Sequence, residues 1–177
     1  MRNFFYRWLL PMLVAACAFG QEDDRAEQWL AKRMDTTAWE ALSAKWDEAS
    51  ASKTTPVENL VLPLDHYKTG REKGRIRTLL KAEKAHLLGE DLVFAWNVKI
   101  ELLLPDGTPE LTLVAEDCLV ERNTKRGFCR GAVDIKSEAD HLKGRGMYFS
   151  TDEQFIKLLS ECEIRTSRVP SSFGRIS

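Results

Sequence analysis

The sequence has no long apolar run and no excess of charge of one sign. Its uncharged N-terminal stretch, Leu9–Phe19, is interrupted by Pro11 and falls short of the roughly 20 apolar residues that a membrane-spanning helix requires. The 26 Lys and Arg residues are interspersed with 27 Asp and Glu residues, giving a net charge of −1, whereas nucleic-acid-binding domains carry clustered positive charge. These features argue against a membrane-spanning helix and against a nucleic-acid partner.

Recognisable catalytic and cofactor motifs are also absent from the sequence. It has no Gly-x-Ser-x-Gly elbow, no phosphate-binding glycine loop, no dinucleotide fingerprint and no Cys-x-x-Cys. Its three histidines, His66, His86 and His141, are far apart and form no His-x-x-x-His pair, so a metal site would have to be assembled entirely by the fold. We therefore predict a protein that is not an enzyme and that binds neither a metal nor a cofactor.

The N-terminus has the layout of an export signal. Arg2 and Arg7 precede the uncharged stretch, and Ala18-Phe19-Gly20 is a small-x-small site followed by polar residues. This pattern predicts a cleavable secretory signal over residues 1–20. Two alternatives remain: Val14-Ala15-Ala16-Cys17 resembles a lipoprotein processing site, at which Cys17 would be acylated, and the segment could stay uncleaved as a tether. We therefore expect the domain that follows the signal to lie outside the cytoplasm, in the periplasm of a Gram-negative-type bacterium.

Export makes a disulfide permissible among the remaining cysteines. Cys118 and Cys129 lie symmetrically about Asn123-Thr124, so a hairpin centred there would place them opposite each other at the short Cα separation that a disulfide requires. The alternative is that both, together with Cys162, are small buried thiols.

A helical pattern covers Asp24 to about Ser52. Its apolar residues recur at three- and four-residue steps, and Thr37-x-x-Glu40 could be a capping box that splits the segment into two helices. The stripe consists of Trp29, Leu30, Met34, Ala38, Trp39, Leu42 and Trp46. It could pack on the main domain or serve as a partner-binding or membrane-surface arm. The small polar run from Ala49 to Pro56 reads as a linker.

From Val57 onward the apolar period is two, which is typical of β-strands. The clearest run has apolar residues at every even position from Leu92 to Leu104, followed by the turn Pro105-Asp106-Gly107 and renewed alternation from Leu111 to Ala115. Further strands are predicted over residues 75–84, 117–122, 128–136, 141–149 and 154–166. Short connections imply antiparallel pairing, so we predict a sandwich, jellyroll or open barrel.

A basic segment coincides with the first of these strands. Its cations include Arg71, Lys73, Arg75, Arg77 and Lys81, which could bind the anionic headgroup of an amphiphile. The alternative is a solvated edge strand whose charges discourage aggregation.

Several of these segments resemble the periplasmic lipopolysaccharide-export proteins of the LptC and OstA-like (LptA) type. The resemblance is carried by Arg75–Ala85, Leu92–Glu101, the Pro105-Asp106-Gly107 turn, the Gly-x-Val-x-Ile strand Gly131–Ile135 and the Leu-x-Gly-x-Gly run Leu142–Gly146. It covers about residues 57–167, preceded by the helical segment and linker at 21–56 and followed by a tail at 168–177. It implies a mainly β fold, an open antiparallel β-jellyroll behind a short α-helical N-terminal segment.

The family resemblance also implies a ligand and partners. The jellyroll would hold acyl chains of lipopolysaccharide or a related lipid in an apolar groove, with no cofactor, and would stack edge to edge with other Lpt-type jellyroll proteins. Carried onto this chain, the groove residues are Leu80, Phe94, Trp96, Val98, Ile100, Leu113, Val133, Ile135, Tyr148, Ile156, Leu158 and Ile164. Membrane association would be indirect or through a lipid anchor.

Two departures from the family pattern leave a second function open. LptC-type members keep an N-terminal transmembrane helix, whereas this N-terminus reads as cleavable or lipidated, and the tryptophan-bearing segment is outside the family's core pattern. The alternative is an envelope structural or protein-interaction module with a filled β core. Its helical arm would then expose Trp29, Trp39 and Trp46 to a partner.

Overall fold

The structure is a computed structural model and describes residues 36–152 and 155–167. The predicted export signal, Cys17, Trp29 and the tail at 168–177 lie outside the described residues.

Within the described residues, seven strands form one antiparallel sheet in which every strand pairs with its neighbour along the chain. The strands are β1 (Val57–His66), β2 (Ile76–Leu88), β3 (Leu92–Leu103), β4 (Pro109–Glu121), β5 (Arg126–Ser137), β6 (Asp140–Ser150) and β7 (Phe155–Thr166). The order leaves β1 and β7 as edges. It confirms the predicted mainly β, open antiparallel architecture behind a short helical segment.

Two strands differ from the sequence-based expectation. β1 is absent from the predicted strands because Asn59 and Pro63 interrupt its alternation, but Pro63 is tolerated in a strand that has a neighbour on one side only. β4 is one continuous strand where two were predicted. Its register shifts between Ala115 and Leu119, and this irregularity accounts for the break in its apolar pattern.

A line of backbone irregularities, here called the bend line, crosses the sheet. Asn59 in β1, Asn97 in β3, Gly146 in β6 and Glu161 in β7 have positive φ angles between 50° and 70°. Register shifts occur at the corresponding places in β4, β5 and β6. Bulges of this kind bend strands and increase their twist, so the sheet folds over on itself at this line.

The bend line divides strands β2–β7 into two halves. The covered half comprises residues 84–88, 92–96, 118–121, 126–129, 147–150 and 155–158. The open half comprises residues 76–82, 98–103, 109–115, 132–137, 140–143 and 160–166. One face of both halves, the inner face, contributes to a single apolar cluster that also includes Leu64 of β1.

Two short helices of the described residues lie on the outer face of the covered half. They are α1 (Thr36–Ala44) and α2 (Trp46–Ser50). The backbone N–H of Lys45 donates to the carbonyl of Leu42 at 3.2 Å, a tight i to i−3 bond of the kind that ends a helix. The break between the two described helices therefore falls at Lys45. α1 begins at Thr36, next to the predicted split at Thr37, and the residues before it lie outside the described residues. Neither helix of the described residues is long and apolar enough to cross a membrane.

Candidate functional site

The inner face brings together most of the residues predicted to line a groove. Residues directly opposite on antiparallel strands share a face, and the register pairs Leu80 with Ile100, Ile100 with Leu113, and Leu113 with Ile135. The predicted groove residues buried in this cluster are Leu80, Val98, Ile100, Leu113, Val133, Ile135 and Leu158. Ile156 is partly buried and packs against them.

In this conformation the inner face is a packed core. Leu80 and Val98 are 0% exposed, and Ile135 is 1% exposed. Two cavities, of about 480 and 530 Å³, lie elsewhere on the described surface, the first lined by helix, linker and β2–β3 hairpin residues and the second by turn residues. No predicted groove residue lines either cavity. A ligand could enter the interior only if parts of the sheet move apart.

The inner face reaches solvent at the end of β7. Ile164 lies opposite the buried Leu142 and so shares the inner face, yet it is 48% exposed. Beyond Glu161, β7 is largely exposed, with only Cys162 half-buried against the inner cluster. We call Ile164 and Cys162 the β7 rim. The rim is an apolar margin continuous with the packed interior.

Phe94 and Trp96 are not on the inner face, which corrects the prediction that all even positions of this strand share one side. Val98 and Ile100 belong to the inner cluster, whereas Phe94 and Trp96 belong to a second cluster on the outer face. The reason is Asn97, whose φ of 50° interrupts the regular pleat between the two pairs. Its side-chain amide also donates to Glu83 Oε2 at 2.5 Å.

Tyr148 is likewise on the outer face. Its neighbours Met147 and Phe149 belong to the inner cluster, and Tyr148 packs with Phe155 at a ring separation of 6.4 Å in the outer cluster. Gly146, with a φ of 70°, sets the orientation of the residues that follow it. The three corrected positions therefore belong to the site where the helices dock.

Trp46 covers the outer cluster. Its ring lies 5.0 Å from Phe94 and 5.4 Å from Phe128, both edge-on, an arrangement that aromatic pairs prefer. The guanidinium of Arg130 lies 5.1 Å from the Trp46 ring and pairs with Asp47 at 3.0 Å. Trp46 is 4% exposed, so the prediction that it could form an exposed partner-binding surface is wrong.

The cations predicted to bind a headgroup do not form one patch. Arg71, Lys73 and Arg75 are exposed in the loop between β1 and β2, where Arg75 donates to the Pro105 carbonyl at 2.7 Å. Arg77 lies over the Tyr67 ring at 5.9 Å. Lys81 is on the outer face of the open half, in an ion pair.

The partner of Lys81 is the buried Glu101. Lys81 Nζ lies 2.7 Å from Glu101 Oε2, and Lys99 Nζ lies 2.5 Å from Glu101 Oε1. Hydrogen bonds from Lys81 and Lys99 hold the pKa of Glu101 below its ordinary value. Lys81 is thus a structural cation in this conformation.

A disulfide joins Cys118 to Cys129 beside the bend line. The β4–β5 register places Leu119 opposite Phe128, and the bridge continues that register by one residue on each strand. Its sulfurs lie within the inner cluster.

Two carboxylates of β4, which the sequence did not mark as functional, accept backbone hydrogen bonds from β5 at the bend line. The backbone N–H of Gly131 donates to Asp117 Oδ1 at 3.1 Å, and that of Ala132 donates to Glu116 Oε2 at 3.3 Å. They replace ladder bonds lost at the bulge. A Cβ on residue 131 would lie against Glu116 Oε2, so the Glu116 carboxylate would have to shift. Adjacent acidic residues opposite a glycine were the only signal in the sequence.

The described residues bring no three His, Cys, Asp or Glu side chains into a metal-binding arrangement. His86 is buried and shares a 2.8 Å hydrogen bond with the Thr54 hydroxyl, and His141 pairs with Asp134 at 3.0 Å. His66 is exposed at the end of β1.

Comparison with known proteins gives one structural likeness of note. No family model and no curated protein matches the chain. Among solved structures, the chain is similar to the crystal structure of LptH, the LptA-homologous periplasmic component of the conserved lipopolysaccharide transport device from Pseudomonas aeruginosa. The match has a TM-score of 0.44 and 10% sequence identity, and covers 55% of this chain and 78% of that chain. A match of this strength says nothing about what this chain binds.

Proposed function

We propose that this protein is a non-enzymatic lipid-binding component of lipopolysaccharide transport, located in the periplasm. The observation that carries the proposal is an apolar inner face to which all seven strands contribute, in a sheet whose described edge strands do not pair with each other. Because the sheet is open, an edge can separate from the opposite wall without breaking the ladder between neighbouring strands.

Acyl chains suit such an interior energetically. Each methylene group of an acyl chain contributes about 0.8 kcal/mol when it is buried. The burial of an acyl chain between the halves would therefore offset the loss of the side-chain contacts that it displaces. The β7 rim, with Ile164 on the inner face, supplies an apolar approach. In this proposal the groove is formed by the inner-face residues and excludes Phe94, Trp96 and Tyr148.

The remaining sequence-based expectations complete the proposal. The export signal over residues 1–20, or acylation at Cys17, would deliver the protein to the periplasm. The loop cations Arg71, Lys73 and Arg75 would meet the anionic headgroup. Neighbouring Lpt-type jellyrolls would pair with the unpaired edges of β1 and β7, since exposed sheet edges accept additional strands.

A second candidate function is favoured by the packing of the interior. Its residues contact each other at essentially zero exposure, as expected of a structural module of the envelope that binds proteins and no lipid. In that case the surfaces would carry the function, and the inner face would serve stability alone.

Matched substitutions on the two faces distinguish the candidates. Ile164 is 48% exposed on the inner face, and Val114 is 46% exposed on the outer face, opposite Lys99 and Asp134. A photo-crosslinking side chain at position 164 should capture lipopolysaccharide, whereas the same side chain at position 114 should not. Equal capture, or none at either position, contradicts a lipid-binding interior and favours the structural module.

A further inference from the structure

Four charged residues from distant parts of the chain meet at one end of the folded sheet. Lys125 Nζ, in the β4–β5 turn, lies 2.7 Å from Asp65 Oδ1 in β1 and 3.2 Å from Asp152 Oδ1 after β6. Lys68 Nζ, in the β1–β2 loop, lies 2.8 Å from the same Asp152 oxygen. We call Asp65, Lys68, Lys125 and Asp152 the clasp.

The clasp crosses the interior. In the sheet β1 pairs only with β2, and β2 and β3 separate it from β4. Contacts from the end of β1 to the turns beyond β4 and β6 are therefore contacts between opposite walls of the folded sheet. They hold the edge strand β1 against the far wall.

The clasp residues are positioned by local backbone features. Register shifts on both sides of Asp65 turn its carboxylate away from the regular pleat, and Asp65 is only 4% exposed. Lys125 has a φ of 54°, and its carbonyl accepts the backbone N–H of Thr151 at 3.0 Å. The Asp65–Lys125 pair is thus largely shielded from water, and removal of one partner of such a pair leaves an uncompensated buried charge.

The interior lies directly behind the clasp. Asp65 pairs in the ladder with Thr78, and the adjacent Leu64 belongs to the inner cluster. Thr78 is 2% exposed, and its hydroxyl has no hydrogen-bond partner among the residues that the structure describes. Thr78 is therefore a buried residue of β2 beside the clasp residue Asp65.

We propose that the clasp controls access to the inner face, opening when its ion pairs break so that the β1 edge swings away from the β4–β5 and β6–β7 turns. This inference rests on the proposed lipid-binding function for its purpose. The opening itself is a property of the protein alone and can be measured without lipid.

A thiol at the unpaired hydroxyl reports opening. In the full-length chain with Cys17→Ser and Cys162→Ser, which leaves the Cys118–Cys129 bridge intact, Thr78→Cys introduces one reactive thiol. Its rate of reaction with a maleimide should rise at least about tenfold on adding Lys125→Met, because Asp65 and Asp152 lose their shared cation. Lys125→Arg should restore the slow rate, since arginine keeps the charge.

Two further variants serve as controls. Lys136→Met removes a lysine paired with Asp134 at 3.3 Å on the outer face and should leave the rate unchanged. Lys68→Met removes only the exposed partner and should give a smaller increase, which keeps the test decisive if Lys125→Met does not fold. A Lys125→Met rate equal to that of Lys136→Met, or no response to Lys68→Met when Lys125→Met is unfolded, overturns the proposal.

Uptake of a fluorescent long-chain fatty acid separates this inference from the function on which it rests. With both correct, Lys125→Met should speed uptake relative to Lys136→Met. Absence of uptake in every variant contradicts the lipid-binding function, whereas the thiol rates still decide whether the clasp controls opening.

Discussion

The covered half and the open half of the sheet share one inner face but differ on the outer face. The outer face of the covered half is apolar and aromatic, and α1 and α2 bury it. The outer face of the open half carries ion pairs centred on Glu101 and Asp134. The covered half is therefore packed on both sides and the open half on one. We expect stability to reside mainly in the covered half and movement mainly in the open half and the edge strands.

The largest loss of unfolding free energy should come from removing the helix side chain that packs on the covered half. Trp46→Ala removes the ring that packs on Phe94 and Phe128, and loss of a buried tryptophan typically costs about 3–5 kcal/mol of unfolding free energy. Urea denaturation measures the change. Val114→Ala, on the exposed outer face of the open half, is the control and should stay within about 0.5 kcal/mol. Similar losses in the two variants would remove the distinction between the halves.

Reduction of the disulfide should have the next largest effect. The Cys118–Cys129 bridge fixes β4 to β5 at the border of the covered half, and a disulfide typically contributes about 2–4 kcal/mol. Denaturation with and without reductant measures the loss. The variant Cys118→Ser, Cys129→Ser should be insensitive to reductant. If reductant leaves the denaturation midpoint of the wild-type protein unchanged, the bridge does not stabilise the connection between β4 and β5.

A smaller effect is expected at the bend line itself. Asn97 has a φ of 50°, a conformation that costs a residue with a Cβ roughly 1–2 kcal/mol but that glycine adopts freely. Asn97→Ala should therefore destabilise the protein by about 1 kcal/mol more than Asn97→Gly, by thermal unfolding. If alanine is tolerated as well as glycine, the residue does not determine the change of face between Trp96 and Val98.

The smallest effect should be the acid sensitivity that Glu101 gives to the open half. Because Lys81 and Lys99 lower the pKa of Glu101, this carboxylate stabilises the fold above its unfolded pKa, and the stabilisation is lost as the pH falls below about 4.5 and through its folded pKa. Glu101→Gln should flatten this part of the stability profile. Exposure of both lysines to solvent keeps the change modest. An unaltered acid profile in Glu101→Gln would mean that the pair contributes nothing measurable.

Alternation along the chain predicted the sheet but not the change of face at the bend line. Period-two runs and turn residues such as Pro105-Asp106-Gly107 are local signals, and they located six of the strands. The run from Leu92 to Leu104 is equally alternating on both sides of Asn97, so nothing in its pattern reveals that Phe94 and Val98 face opposite ways. A positive φ at a residue other than glycine leaves no trace in hydropathy.

Contacts between residues far apart in the chain could not be predicted from the sequence, for a different reason. The helical stripe correctly suggested that Leu42 and Trp46 could pack on the main domain, because an amphipathic face must be buried somewhere. Lys125 and Asp65, in contrast, are 60 residues apart, and single charges in turns are ordinarily solvated. Only the folding of the sheet brings them together.

Native mass spectrometry of the protein purified gently from an envelope fraction tests the central claim most directly. We expect a bound phosphorylated glycolipid that the wild-type protein and Val114→Glu retain and that is depleted in Ile164→Glu, because Ile164 lies on the inner face and Val114 does not. Both variants place the charge at half-exposed positions that the fold tolerates. A folded wild-type protein that carries no lipid, and stays lipid-free when offered lipopolysaccharide, would contradict the lipid-binding interior.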